Sequence, residues 1–155
     1  MIAYLSGGME NAKDSGSQWR NKIKLWLKEN LDHDVIDPVE IQKKTLTKYE
    51  IKNYRNWINK NPQKFNNIIH KIIDRDLSLI KNNADYIICF WDESVILGGG
   101  THGELTMAYY FSKPVYLVLN LPINKTSSWI LGCSTKTFTN FEDLKIDLLQ
   151  QHESK

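Results

Sequence analysis

Residues 84–119 read ADYIICFWDESVILGGGTHGELTMAYYFSKPVYLVL. Two apolar runs of strand length, Tyr86–Trp91 and Val115–Leu119, bracket a helical pattern from Thr101 to Phe111. Strands joined through a helix form a βαβ unit, in which the strands run parallel and are covered on both faces. Gly98–Gly100 stand where the first strand hands over to the helix. Open α/β sheets bind ligands at such turns, because a helix N-terminus presents unpaired amides there. Glu104 falls in the first turn of the expected helix.

Reading outward, Met1–Ser6 is a third short apolar run, closed by Gly7-Gly8. Trp19, Ile23, Trp26 and Leu27 recur at helical spacing and predict a helix from Ser17 to Asn30, with Asp14, Ser15 and Ser17 as candidate caps. Asp34–Asp37 reads as a short strand stopped by Pro38. Residues 39–62 carry helical patches without a clean period and read as a lid or specificity insertion. Phe65, Ile68, Ile69, Ile72, Ile73, Leu77 and Ile80 then give a helical stripe over Gln63–Asn82. Beyond Leu119, Pro122–Cys133 reads as a loop carrying Trp129, followed by a short strand Thr135–Phe138 and a helix Phe141–Gln150. The order β-α-β-α-β-α-β-β-α predicts an α/β chain. It is expected to be a single domain spanning 1–155, doubly wound in the Rossmann/flavodoxin-like manner, with a mainly parallel sheet flanked by helices.

At 155 residues, 41% hydrophobic and 25% charged, the chain has enough apolar residues for a core. No apolar run approaches membrane-spanning length, and no basic stretch followed by an apolar one opens the sequence. The expectation is a cytoplasmic protein with no membrane partner. Cys89 lies inside an apolar strand and Cys133 far from it, which fits two buried thiols rather than a disulfide or a zinc site. A net charge of +2 gives no case for nucleic acid. The lysines and aromatics between Gln42 and Lys71 read as the solvated face of a helical segment.

The chemistry gathers on a few carboxylates. Thr101-His102-Gly103-Glu104 fits a capping box, with Thr101 as N-cap and Glu104 folding back onto it. Against that purely structural role stand Gly103, a poor helix former worth about 1 kcal/mol less than alanine, and three glycines where a turn needs fewer. His102 adds a polar group to the same rim. Asp76 has apolar neighbours in sequence, although a solvated carboxylate paired with Lys71, Arg75 or Lys81 fits equally. Asp92 follows the strand end, as an Asx turn or as a second functional carboxylate.

Several stretches together resemble the nucleoside 2-deoxyribosyltransferase family, which includes deoxynucleotide N-glycosidases. They are Tyr4-Leu5-Ser6-Gly7-Gly8-Met9, Trp19-Arg20, Asp76-Leu77 with Ile80 and Asp85, Gly100-Thr101-His102-Gly103-Glu104-Leu105, and Lys113-Pro114-Val115. The resemblance implies Glu104 as nucleophile and Asp76 as the aspartate assisting proton transfer at the base. It implies a substrate pocket involving Ser6, Gly7, Gly8, Met9, Trp19, Arg20, Asp92, Gly100, Thr101 and His102. It also implies a homo-oligomer with shared active sites, to which Asn124, Ser127 or Ser128, near Trp129, would contribute across subunits. The implied reaction is a retaining displacement at C1′ of a 2-deoxyribosyl group, with the two carboxyls about 5 Å apart. No metal or cofactor is required. Gly98 departs from the pattern, since many family members carry an aspartate six residues before the nucleophile.

The implied substrate is a 2′-deoxynucleoside or its 5′-monophosphate; Gly7, Gly8 and Arg20 would suit a phosphate, with Arg20 as an exposed helix residue the other reading. Two further readings stand beside this one. One is a nucleotide-binding module without turnover; the other is a hydrolase of a different N-glycosidic nucleotide.

Overall fold

The computed structural model describes residues 1–153. The chain begins with β1 (Ile2–Gly7), α1 (Ser17–Leu31) and β2 (Asp34–Ile36). An excursion follows: α2 (Pro38–Thr45), α3 (Lys48–Asn53), a 3-10 turn over Tyr54–Asn56, and α4 (Trp57–Lys60). The long α5 (Pro62–Asn82) returns the chain to β3 (Tyr86–Trp91). Then come α6 (Gly99–Tyr110), β4 (Val115–Leu119), α7 (Ser128–Cys133), β5 (Lys136–Phe138) and α8 (Phe141–Glu153).

The five strands are all parallel, in the order β2-β1-β3-β4-β5. This is the flavodoxin-like doubly wound sheet, whose strand order reverses between β1 and β3. The expected α/β class and parallel sheet are therefore what the chain forms. Side-chain parity sorts the core into two layers. Tyr4, Ile87, Cys89, Trp91, Leu117 and Leu119 pack under α5, α6 and α7, with Ile80, Leu105, Ala108 and Ile130. Ala3, Leu5, Ile88 and Val118 pack on the other face, under α1 and α8, with Ile23, Leu27, Leu144 and Leu148.

Three local readings differ from expectation. Residues 39–62 resolve into short helices because caps, rather than hydrophobic period, define them. The Asp37 side chain accepts from Val39 N at 2.9 Å, and Asn61 from Lys64 N at 3.1 Å. Thr47 and Glu50 form a reciprocal capping box. Leu46, Trp57 and Ile68 seat this excursion on α5 as a small separate core. The expected loop Pro122–Cys133 contains α7, started by Ser127, whose hydroxyl accepts from Trp129 N at 3.2 Å. Finally, α6 starts at Gly99 with Gly98 as N-cap, so Thr101 is not a cap and Glu104 lies beyond the first turn.

Candidate active site

On β1, Tyr4 and Ser6 are two residues apart and so point to the same face of the sheet, the one covered by α6. Both reach Glu104. The Tyr4 hydroxyl donates to Oε1 at 2.8 Å and the Ser6 hydroxyl to Oε2 at 2.5 Å. The glutamate is thus held by two side-chain hydroxyls from a neighbouring strand, and the capping-box reading of Thr101 and Glu104 is set aside. Thr101 is buried in the first turn of α6.

Glu104 keeps some solvent exposure, yet the protein packed around its carboxyl pushes its pKa up to about 7. Burial is the leading cause, reinforced by the negative charge of Asp76. The hydroxyls of Ser6 and Tyr4 and the cation of Arg20 oppose it. A helix N-terminus acts mainly within its first turn, and α6 starts at Gly99, so the helix dipole contributes little at Glu104. Tyr4 is fully buried, and its hydroxyl is pushed well above the ordinary phenol range, first by burial and then by Glu104 and Asp76. The Cys89 thiol, also buried and register partner of Ser6, is raised by burial and by Glu104.

Asp76 is not a solvated surface carboxylate. It is buried in α5, and Arg75 places both Nε and Nη2 at 2.8 Å from its Oδ1. Burial raises the Asp76 pKa; Arg75 pulls it back. Asp76 acts on both Tyr4 and Glu104 electrostatically, so the two carboxyls belong to one field.

The glycine turn after β1 is shaped by Arg20. Its guanidinium is completely buried and donates to the carbonyls of Leu5 (3.3 Å), Gly7 (2.9 Å), Gly8 (3.4 Å) and Gly16 (2.9 Å). It also lies 3.7 Å from Asp37 and over the Trp19 ring at 4.6 Å. Neither expected placement describes it: it is not an exposed helix residue, and its donors face backbone carbonyls instead of an open phosphate site. Gly16 takes the left-handed conformation at the start of α1, where a side chain would strike Arg20 and the Gly8 carbonyl. A Cβ on Gly8 would collide with Ser94, so the turns after β1 and β3 touch at the switch point. Met9 sits half-buried at this turn.

Asp92 accepts hydrogen bonds from the backbone amide (2.9 Å) and hydroxyl of Ser94, an Asx turn. With Gly8, Trp19, Phe90, Ser94 and Asn120 it lines a cleft of about 540 Å³, whose lining does not include Glu104. Trp19 belongs to an aromatic cluster with Phe90 and Phe141. His102 bonds the Gly98 carbonyl through Nδ1 at 2.8 Å and meets the edge of Trp91. Among the described residues, and apart from the helix's own neighbouring backbone, nothing comes within 4 Å of where a side chain would stand on Gly99, Gly100 or Gly103. Asn124 and Trp129 are exposed, and Trp129 Nε1 donates to Thr106 at 2.9 Å, tying α7 to α6.

The fold therefore brings Ser6, Asp76 and Glu104 together and adds Tyr4. Asn124 and Trp129 stay exposed, and Trp129 meets α6 at Thr106, two residues beyond Glu104. Sequence reasoning did not single out Tyr4, though the two-residue period linking it to Ser6 was there to read. Among the described residues, no three His, Cys, Asp or Glu side chains gather as a metal site.

The chain is thus a flavodoxin-like α/β protein with a hydroxyl-bound, partly buried carboxylate beside the end of its first strand. Its fold is shared with a 2-deoxyribosyltransferase from Bacillus psychrosaccharolyticus, at TM-score 0.68 and 20% identity over 94% of this chain and 90% of the other. A 2-deoxyribosyltransferase from Leishmania mexicana matches at TM-score 0.58 and 17% identity, over 97% of this chain and 98% of that one. A CMP N-glycosidase of Clostridium botulinum matches at 0.53 and 16%, over 96% and 97%. No protein-family model and no curated protein matches the chain. The structure has the fold of the family its sequence motifs resemble.

Proposed function

We propose that the chain is an enzyme that cleaves or exchanges the N-glycosidic bond of a 2′-deoxynucleoside or its 5′-monophosphate. The observation that carries this is Glu104, desolvated and held through both oxygens by Tyr4 and Ser6. A carboxylate whose pKa is near neutrality is ionised in a large fraction of molecules at pH 7 and is weakly solvated, as a nucleophile requires. The hydroxyls fix its orientation toward one approach.

In the first step a Glu104 oxygen forms a bond to C1′ as the C1′–N bond breaks. The leaving base takes the bonding pair and a proton, supplied by Asp76 in its protonated form. In the second step water, or another base, attacks C1′ with Asp76 accepting its proton, and the glycosyl–Glu104 ester is released. Burial raises the Asp76 pKa from its ordinary value, the direction a proton donor needs. Residues 39–62 serve as a specificity segment at the same sheet edge, and Glu10 in the β1–α1 turn bonds Tyr54 (3.1 Å) and pairs with Arg55 across to it.

The assembly we propose is a homo-oligomer with shared sites. Leu97, Tyr109, Tyr110 and Trp129 leave an exposed apolar face around α6 and α7, beside the open glycines. Sedimentation of Leu97→Asp and Trp129→Ser would give a smaller species than the unmodified chain. The setting we propose is the cytoplasm, where the unpaired Cys89 and Cys133 suit a reducing environment.

Incubation with nucleosides, monophosphates and dinucleotides, read by chromatography, tests the activity. Release of free base, or its exchange for an added base, together with a glycosyl adduct on Glu104 by intact mass, supports the reading. A second reading, nucleotide binding without turnover, is favoured by Gly98, which caps α6 and offers no carboxylate. It predicts saturable binding with no base released over long incubation.

A further inference from the structure

Arg75 is the neighbour of Asp76 in sequence, and adjacent residues on a helix point in different directions. Its side chain nevertheless folds back so that Nε and Nη2 both meet Asp76 Oδ1. Both of these short contacts are made to the same oxygen, Oδ1. The third arm, Nη1, donates to the Thr45 hydroxyl at 2.9 Å. Thr45 is the last residue of α2, in the excursion between β2 and α5. A planar guanidinium holds its donors in a fixed fork, so the position of Thr45 and the orientation of the Asp76 carboxyl are linked through one rigid group.

We propose that Arg75 is a positioning residue that holds Asp76 by one oxygen and couples it to the seating of the excursion through Thr45. This rests on the reading of Asp76 as the proton-transfer group. Arg75 leaves Oδ2 to face the reacting base while Oδ1 stays bound. When the excursion is seated, the fork is complete and Asp76 is held toward its charged form. When α2 lifts, Arg75 loses one anchor and swings with it.

Around these two carboxyls the charged and titratable groups are Arg75 on α5, Tyr4 on β1, Cys89 on β3 and Arg20 on α1. Losing the Arg75 cation lets burial dominate at Asp76, so Asp76 titrates higher.

The test is carboxyl-carbon NMR titration of Asp76 and Glu104 in the unmodified chain, Arg75→Gln, Arg75→Lys and Thr45→Val, with circular dichroism verifying the fold. Arg75→Gln is expected to raise the Asp76 midpoint by on the order of one pH unit. Thr45→Val, on the exposed surface, should shift the Asp76 midpoint in the same direction by less. Arg75→Lys should restore the Asp76 midpoint in part without restoring the response to Thr45. Unchanged midpoints in Arg75→Gln, or in Thr45→Val should Arg75→Gln not fold, would overturn the proposal. These titrations need no turnover, so a chain inactive toward every nucleotide that still shows the coupled shifts would sink the enzymatic reading alone. Where turnover is found, Arg75→Gln should lower kcat and move the pH profile, a change that loss of folding alone does not produce.

Discussion

The Tyr4 hydroxyl and the Glu104 carboxylate meet at 2.8 Å although 100 residues separate them in the chain. The contact joins the first strand of the sheet to the helix after the third, across the point where strand order reverses. Ser6 repeats it two residues later on the same strand face.

Replacing Glu104 with alanine or glutamine should lower N-glycosidic turnover by roughly a thousandfold or more, the usual cost of deleting a nucleophile. Glutamine keeps an oxygen that accepts from one hydroxyl and an amide nitrogen that can donate to the other, so Glu104→Gln should still fold, as circular dichroism would read. Activity surviving in Glu104→Gln would remove Glu104 from the reaction.

Ser6→Ala and Tyr4→Phe each remove a donor that favours the ionised carboxylate. Both should move the alkaline-rising limb of kcat/KM to higher pH. Ser6→Ala should move it further, because the Ser6 hydroxyl is the stronger of the two influences. The reverse order, measured over a full pH profile, would contradict the hydrogen-bond geometry.

With a pKa of about 7, Glu104 should make kcat/KM climb with pH through neutrality. Its effect on stability has the opposite sign. The folded chain holds the Glu104 proton more tightly than the unfolded chain, whose value is near 4.5. That contribution is fully present below about 4.5 and is lost as pH rises through about 7, on the order of 3 kcal/mol at 1.36 kcal/mol per unit. Urea midpoints taken across this window should fall less steeply with pH in Glu104→Gln than in the unmodified chain.

Arg20→Ala should destabilise the fold by about 3–5 kcal/mol, since Asp37 would be left buried without its cation and the carbonyls around the guanidinium would lose a donor. Chemical denaturation reads this directly. A variant of unchanged stability with weakened affinity for monophosphates alone would instead make Arg20 a phosphate ligand.

The sequence by itself determined the sheet. Uninterrupted apolar runs at Tyr86–Trp91 and Val115–Leu119, with the helical stripe of α5, demand parallel strands covered on both faces, and few connections satisfy that. It also marked Glu104 and Asp76, through the glycines around one and the apolar flank of the other. The helices of residues 38–60 and α7 escaped it because they are short and set by caps such as Asp37, Thr47 and Ser127, which hydrophobic periodicity does not register. Tertiary structure alone decided the state of the site. A capping box and a buried carboxylate share one local pattern, and only the placement of Tyr4 and Ser6 against α6 selects between them. The burial of Arg20 and the grip of Arg75 on Asp76 were likewise decided there, because desolvation and hydrogen-bond partners depend on what packs around a residue and not on its neighbours in the chain.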